Sequence, residues 1–170
     1  YHACAVLNTG AVKCWGWNGE GELGDGTTTI RGTPVSVKDG MGNAITGVMK
    51  ISAGWKHTCA VFTSGEAQCW GENGGKLGDG TTTGRLNPVT VSGFSTGAAS
   101  VSAGLSHTCF VKASTGEVKC TGDNGYGQLG DGTNVGSTTP VVVSGISTAV
   151  DVGVGDSHSC AELSNGSFKC

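Results

Sequence analysis

The chain has 170 residues, of which 36% are hydrophobic and 32 are glycine, so one large compact core is not expected. A formal net charge of −3 with 14% charged residues leaves no basic stripe, which argues against nucleic acid as a partner. No apolar stretch approaches the roughly 18 to 20 residues of a membrane-spanning helix, so no membrane insertion is expected. The first four residues lack the regions of a signal peptide, and a signal for export would lie outside this chain.

The sequence repeats a His-x-Cys block four times, at His2, His57, His107 and His158, at intervals of 55, 50 and 51 residues. Each complete copy continues with a second cysteine, a Gly-Asn-Gly-rich stretch, a Leu-Gly-Asp-Gly-Thr segment and a Pro-Val-x-Val run. A period near 50 with several short strands is typical of propeller blades. The whole chain is therefore predicted to be one partial repeat propeller, 1–170, with units 2–56, 57–106, 107–157 and the first hairpin of a fourth unit, 158–170.

Two series of strands follow the hairpins. The first begins after a proline, a residue that suits the first position of a strand, at 35–37, 89–91 and 141–143. The second is rich in small residues and lies at 48–53, 99–103 and 150–154. With the two hairpin strands, this predicts about four short strands per unit. No window shows the three-to-four spacing of apolar residues that indicates a helix.

The eight cysteines form one pair per unit. Antiparallel pairing of Cys4 with Cys14 leaves the three-residue loop Asn8-Thr9-Gly10, which favours glycine in its last position. The pair then falls at a non-hydrogen-bonded position with Cα atoms about 4.5 Å apart, within reach of a disulfide. In the third unit the cysteines are one residue further apart and the loop is one residue longer. The predicted disulfides are Cys4–Cys14, Cys59–Cys69, Cys109–Cys120 and Cys160–Cys170.

Four such bridges would be central to a chain with a thin core. Each closes a loop of about 11 residues and contributes roughly 2.8 kcal/mol by the chain-entropy estimate. Dependence on disulfides predicts an oxidising compartment, whether extracellular, at the cell surface or periplasmic. The alternative is metal binding by His2, Cys4 and Cys14 on one hairpin face, but closed zinc sites need four ligands and no Cys-x-x-Cys occurs.

No catalytic, cofactor or metal site is predicted, and the protein is not expected to be an enzyme. The histidines recur once per unit opposite a glycine, which favours packing over catalysis. The acids of the Leu-Gly-Asp-Gly segments fit turns, and their spacing matches no calcium loop. Trp15 and Trp70 are expected to fill space between blades. Trp17 and Trp55 have no aromatic counterparts in the other complete units, so they are the candidate binding surface.

The segments AGWKHTCAV…CWGENGGKLGDGTTT and AGLSHTCFV…CTGDNGYGQLGDGTN resemble the repeats of the regulator of chromosome condensation family, in its cysteine-containing bacterial form. The resemblance covers the whole chain, with departures at Thr121, Glu22 and Lys76. It implies an all-β propeller of four-stranded blades, seven in a closed ring, of which this chain would form about three and a half. An open arc of this kind is expected to be completed by further repeats or by neighbouring subunits.

The resemblance leaves function open, because the propeller hosts unrelated activities. The first hypothesis is a non-enzymatic extracellular structural and recognition module of a larger surface, adhesive or filamentous protein. It would bind a protein or glycan at a cell surface through blade loops. The alternative is a secreted inhibitor or regulator of a specific enzyme. A guanine-nucleotide exchange factor, the role of the family's namesake, fits poorly with the cysteine pairs and the mild acidity.

Overall fold

The computed structural model describes residues 1–170 and contains only strands, turns and loops. No helix in it is long and apolar enough to cross a bilayer. Fourteen strands follow one another along the chain: β1 His2–Val6, β2 Val12–Gly16, β3 Arg31–Ser36, β4 Val48–Ala53, β5 His57–Phe62, β6 Ala67–Gly71, β7 Arg85–Thr90, β8 Ala98–Ala103, β9 His107–Lys112, β10 Val118–Gly122, β11 Ser137–Val142, β12 Ala149–Val154, β13 Ser159–Leu163 and β14 Phe168–Lys169.

The strands form four antiparallel sheets in chain order. The first contains β1-β2-β3, the second β4-β5-β6-β7, the third β8-β9-β10-β11 and the fourth β12-β13-β14. Fourteen strands amount to three and a half blades of four, distributed over two complete sheets and two three-stranded ones. The predicted all-β partial propeller is confirmed.

The sheets are out of phase with the sequence repeats. The small-residue strand that closes each sequence unit pairs with the hairpin of the following unit, so β4, β8 and β12 are the first strands of their sheets. These three strands lie side by side along the inner side of the arc. The amide of Ala103 donates to Oγ of Ser52 at 3.0 Å, and the amide of Val154 donates to Oγ of Ser102 at 3.1 Å.

The hairpins have the predicted register, with Cys4 opposite Cys14 and His2 opposite Gly16. Gly10 closes the first loop with a φ of +76°, a conformation that glycine adopts without strain. In the third hairpin the extra residue lies in the loop, and Cys109 still faces Cys120. All four predicted pairs are joined as disulfides with Cα atoms 4.1 Å apart.

The prediction that proline opens the third strand of each unit was wrong. Pro34, Pro88 and Pro140 are each the fourth residue of their strands, β3, β7 and β11. These are the outermost strands and pair on one side only. A proline inside an edge strand need not cost a ladder hydrogen bond, so the strand can extend on both sides of it.

Three small apolar clusters replace a single core. Trp70 is fully buried in the cluster between the first two sheets, as expected for a residue that fills space between blades. Trp15 is only partly buried. Phe94 and Phe110 pack with ring centroids 5.1 Å apart between the second and third sheets.

A hydrogen-bond relay joins each sheet to the next. The Nε2 atom of His57 lies 2.8 Å from Oγ1 of Thr108, and this hydroxyl donates to the carbonyl of Lys76 at 2.8 Å. A hydroxyl has one hydrogen, so Nε2 must carry the proton that the threonine oxygen accepts. The same relay runs from His2 through Thr58 to Glu22 and from His107 through Ser159 to Gln128.

The relay requires neutral histidines. Burial lowers the pKa of His57 well below its usual value and lowers the pKa of both His2 and His107 to about 4. The Nδ1 atoms of all three rings are buried without a hydrogen-bond partner. Protonation of Nδ1 would place a charge in a site that offers it no acceptor.

The first prediction concerns the disulfides. The double variant Cys59→Ala/Cys69→Ala should lose about 3 kcal/mol of unfolding free energy from the lost crosslink, plus a cavity contribution because both residues are buried. The matched control is Cys160→Ala/Cys170→Ala, which opens a loop of the same length where Cys170 is exposed. Urea unfolding should show a loss in both, larger in the first. An unchanged control pair would refute the loop-closure explanation.

The second prediction is acid destabilisation. Because the folded-state pKa of the relay histidines lies below the unfolded value of 6.5, the unfolded chain binds more protons between these values. The stability is fully present above about pH 6.5 and is lost as the pH falls toward 4. Glu22, whose pKa is raised by burial, contributes with the opposite sign at the acidic end of this window.

Urea unfolding at a series of pH values measures this slope. His57→Gln keeps an N–H donor but cannot titrate, so it should reduce the slope between pH 6.5 and 5. An equal slope in wild type and variant would show that His57 is not responsible.

Candidate functional site at one end of the sheets

The loops at one end of the four sheets form a surface that we call the aromatic face. Strand β2 ends at Gly16 opposite His2, and β4 ends at Ala53 just before β5 begins at His57. The turn that leads into the second strand of each blade and the loop that follows its third strand therefore lie at the same end of the sheet. The aromatic face comprises the turns 54–56, 104–106 and 155–157, the loops 17–22, 72–76 and 123–128, and Tyr1.

Both candidate tryptophans lie on the aromatic face. Trp17 is 45% exposed and Trp55 is 47% exposed, which is unusual for such large apolar side chains. The amide of Trp17 donates to the carbonyl of Tyr1 at 3.0 Å, and the amide of Trp55 donates to the carbonyl of Gly104 at 3.1 Å. These hydrogen bonds anchor the backbone of both residues on this face.

A shallow groove of about 400 Å³ crosses the aromatic face where the inner strands end. Its rim carries Tyr1, Trp55, Leu105 and Asp156, and its floor is made of small residues. Tyr1 is 87% exposed. Aromatic residues over a small-residue floor offer apolar contact area with a few polar groups, which suits recognition of another molecule.

A chain of alternating charges runs beside this groove. The Nζ atom of Lys56 lies 3.3 Å from a carboxylate oxygen of Glu20 and 3.7 Å from one of Glu72, which also pairs with Lys76 at 2.5 Å. Burial alone would raise the pKa of Glu72, but the hydrogen bonds and positive charges of Lys76 and Lys56 together outweigh it and lower the pKa. These four charges are mutually paired, so this border of the face is polar and its charges balance one another.

The hairpin loops at the opposite end of the sheets carry no large side chains. They consist of small residues, mainly Ser, Thr, Asn, Ala and Gly, at 8–10, 63–65, 113–116 and 164–166. The two ends of the arc therefore differ, because large aromatic side chains and ion pairs are concentrated on the aromatic face.

A second polar cluster lies on the inner strands. Lys50 of β4 lies 2.8 Å from Oγ of Ser100 on β8 and 2.8 Å from a carboxylate oxygen of Asp151 on β12, and Ser100 also donates to Asp151. The three residues are in equivalent positions of successive sheets. Ser100 is fully buried, so its hydroxyl bridges two charges and is not accessible to a substrate.

The acids of the Leu-Gly-Asp-Gly segments serve as turn anchors. Asp79 accepts two hydrogen bonds from Arg85, at 2.9 and 2.6 Å, and two from Thr81, one from its amide and one from its hydroxyl. Burial would raise the pKa of Asp79, but these hydrogen bonds outweigh it and lower the pKa. Asp25 has the same arrangement with Arg31. No group of three or more His, Cys, Asp or Glu side chains is placed to hold a metal ion.

Sequence reasoning found the tryptophans and missed their surroundings. The charge chain of Glu20, Lys56, Glu72 and Lys76 joins loops of neighbouring sheets, which the sequence alone does not place side by side. One signal was available. Glu22, Lys76 and Gln128 occupy equivalent positions with different charges, and such variation marks a place where the blades are not interchangeable.

The sheet order, the radial placement of the small-residue strands and the repeated hairpins define a β-propeller built from sequence repeats. The sequence model described as "Regulator of chromosome condensation (RCC1) repeat" matches residues 9–61 and 115–161, and a second model of the same description matches residues 48–75 and 98–128. The chain belongs to the RCC1 repeat family.

Similar proteins include the Ultraviolet-B receptor UVR8 of Arabidopsis thaliana, which is 33% identical over 144 residues. That alignment covers 84% of this chain and 32% of UVR8. The human E3 ubiquitin-protein ligase HERC2 is 31% identical over 148 residues, which cover 84% of this chain and 3% of HERC2. The chain thus spans a third or less of these relatives.

Solved structures support the fold. Human WBSCR16 superposes with a TM-score of 0.84 at 20% identity, covering 98% of this chain and 44% of that one. Yeast RCC1 (Prp20), solved with Kap60, superposes with a TM-score of 0.78 at 19% identity, covering 98% of this chain and 40% of that one. At these identities the likeness concerns the propeller architecture.

Proposed function

We propose that the protein is a non-enzymatic recognition module that binds a protein or a glycan through the aromatic face. The observation that carries the proposal is the exposure of Trp17 and Trp55 at one end of the sheets. Exposed tryptophans are costly on a surface that contacts only water, and they are enriched at the centres of binding interfaces. The adjoining groove and the paired charges supply an apolar centre with a polar border.

Comparison between the blades supports this assignment. The position of Trp17 is occupied by Glu72 and Asp123 in the other complete repeats, and the position of Trp55 by Leu105 and Asp156. The scaffold therefore accepts a carboxylate at the first position and either an aliphatic side chain or a carboxylate at the second. A tryptophan that the fold does not need is best explained by contact with a partner.

The structures of related propellers are consistent with protein binding. Yeast RCC1 (Prp20) was solved bound to Kap60, and a second structure of Prp20p is described with its binding properties to Gsp1p and histones. Kap60, Gsp1p and histones are partners of Prp20. For this chain we propose a partner at a cell surface, within a larger surface, adhesive or filamentous assembly.

The proposed location is an oxidising compartment, either extracellular, at the cell surface or periplasmic. Its support is the set of four disulfides together with the absence of free cysteines. A cytosolic protein of this size would more commonly keep its thiols reduced.

The non-enzymatic role rests on the use of the polar side chains. The relay histidines hold neighbouring sheets together, Asp25 and Asp79 bind arginines of their own turns, and Ser100 is buried between two charges. Each of these groups already has a structural partner. Turnover that disappears on changing Ser100 or His57 in a protein that remains folded would contradict this role.

The third prediction uses substitutions that the repeats themselves contain. Trp17→Glu and Trp55→Leu each place in one blade the residue that another blade carries there. Each should weaken partner binding about tenfold or more, the effect of losing roughly 1.4 kcal/mol of contact. The melting temperature should stay within about 2 °C of wild type, because surface changes without core contacts have small effects.

Binding is measured against glycan arrays and purified cell-surface proteins, followed by titration with the strongest ligand. Met41→Ala is the matched control, because Met41 is 85% exposed in a loop at the opposite end of the sheets. Equal loss of affinity in the control would show that binding does not use the aromatic face. A large fall in melting temperature for both tryptophan variants would make them core residues instead.

A further inference from the structure

The aspartate of each Leu-Gly-Asp-Gly segment and the threonine two residues later form a cradle for a guanidinium group. In the second sheet, Nε and Nη2 of Arg85 donate to Oδ2 of Asp79 at 2.9 and 2.6 Å, and Nη2 also lies 3.4 Å from Oγ1 of Thr81. The first sheet repeats these contacts with Arg31. The chain contains two arginines, and each fills one cradle. The first, second and third cradles are Asp25 with Thr27, Asp79 with Thr81, and Asp131 with Thr133.

The third cradle has no arginine of its own. Ser137 stands where the other sheets have Arg31 and Arg85, since each of the three is the first residue of its outer strand and follows the aspartate of its cradle by six residues. The hydroxyl of Ser137 donates to the carbonyl of Thr139 at 2.7 Å, so it does not replace the guanidinium. Asp131 forms no ion pair.

The acceptors of the third cradle are nevertheless held as in the other two. Oδ1 of Asp131 accepts from Nδ2 of Asn124 at 3.1 Å and from the amide of Thr133 at 2.9 Å. The equivalent distances in the second cradle are 3.1 and 3.0 Å. The hydroxyl of Thr133 lies 2.9 Å from Oδ1 and 3.1 Å from Oδ2. Oδ2, the oxygen that binds the guanidinium in the other cradles, therefore receives no N–H.

The third cradle is charged, and its open side faces solvent. The backbone hydrogen bond from Thr133 lowers the pKa of Asp131, so the carboxylate is ionised at neutral pH. In the first two cradles the side chains of Arg31 and Arg85 remain 35% and 36% exposed, although another sheet packs beside each of them. The guanidinium position thus lies on the outer surface, and access to it does not depend on a neighbouring sheet.

We propose that the third cradle is a binding site for the guanidinium group of an arginine on a partner protein. A guanidinium fits because its planar fork donates through two nitrogens at once, as it does in both other cradles. Both arginines of residues 1–170 are already engaged, so a second copy of these residues does not supply the group. The site uses neither Trp17 nor Trp55, and it is independent of the proposed function.

The fourth prediction is that a blocked arginine binds to the third cradle and not to the second. N-acetylarginine amide has no free amine or carboxylate, so it represents an arginine within a polypeptide. Titrated at low ionic strength, it should cause saturable NMR shifts of the Thr133 amide and of the Asn124 side-chain amide, but not of the Thr81 amide. N-acetyllysine amide should bind about threefold or more weakly, because an ammonium lacks the paired donors of the fork.

Two reciprocal substitutions should move the site. Ser137→Arg supplies a guanidinium from the chain itself, so the saturable shift of Thr133 should disappear. Arg85→Ser gives the second cradle the composition of the third, so arginine amide should now shift the amide of Thr81. Thermal unfolding checks that both variants are folded at the temperature of the titration. A folded Arg85→Ser chain without a shift at Thr81 would contradict the assignment of the ligand to the cradle.

Three further outcomes would overturn the proposal. One is the absence of a saturable shift at Thr133 in the wild-type chain. Another is equal affinity for the arginine and lysine amides, which would show a general attraction of positive charge. The third is unchanged binding in Ser137→Arg, which would place the ligand elsewhere. Trp17→Glu should leave arginine binding unchanged, so a failure of this site is distinguishable from a failure of the aromatic face.

Discussion

The arc depends on the hydrogen-bond relay between neighbouring sheets. In each relay a histidine of one sheet contacts a hydroxyl of the next sheet, and that hydroxyl donates to a loop carbonyl of the first sheet. Each sheet has three or four short strands and only a small apolar cluster, so no sheet could hold its position alone. The relay at His57 is fully buried, where an unmade hydrogen bond costs more than a made one contributes. It therefore favours one angle between sheets over all others. The disulfides stabilise each blade, and the relay sets how blades meet.

Much of this fold could be predicted because its information is local. The register of the hairpins follows from cysteine spacing and from glycine at positions such as Gly10, and neither depends on distant residues. The phase of the sheets could not be predicted in this way, because a periodic sequence looks the same wherever the period is begun. Only pairing in space shows that β4 belongs with β5. The strand containing Pro34 was misplaced because proline was interpreted from its backbone preference alone, without knowledge that the strand lies at an edge.

The candidate site was likewise predictable only where its information is local. Trp17 and Trp55 could be found by comparing repeats, since a regular scaffold makes any departure visible. Their shared location needed the structure, which brings the turn before β5 and the loop after β2 to one end of the sheets. The partner of each relay histidine was also hidden, although Thr58 and Thr108 directly follow a histidine. Each hydroxyl serves the histidine of the preceding unit and not its own neighbour.

The prolines of the outer strands affect whether these molecules associate through their sheet edges. An exposed strand edge is a template on which another chain can add by backbone hydrogen bonds, and this is a common route to aggregation. Pro34, Pro88 and Pro140 have no N–H to offer to a further strand. They therefore protect the first three sheets against uncontrolled growth.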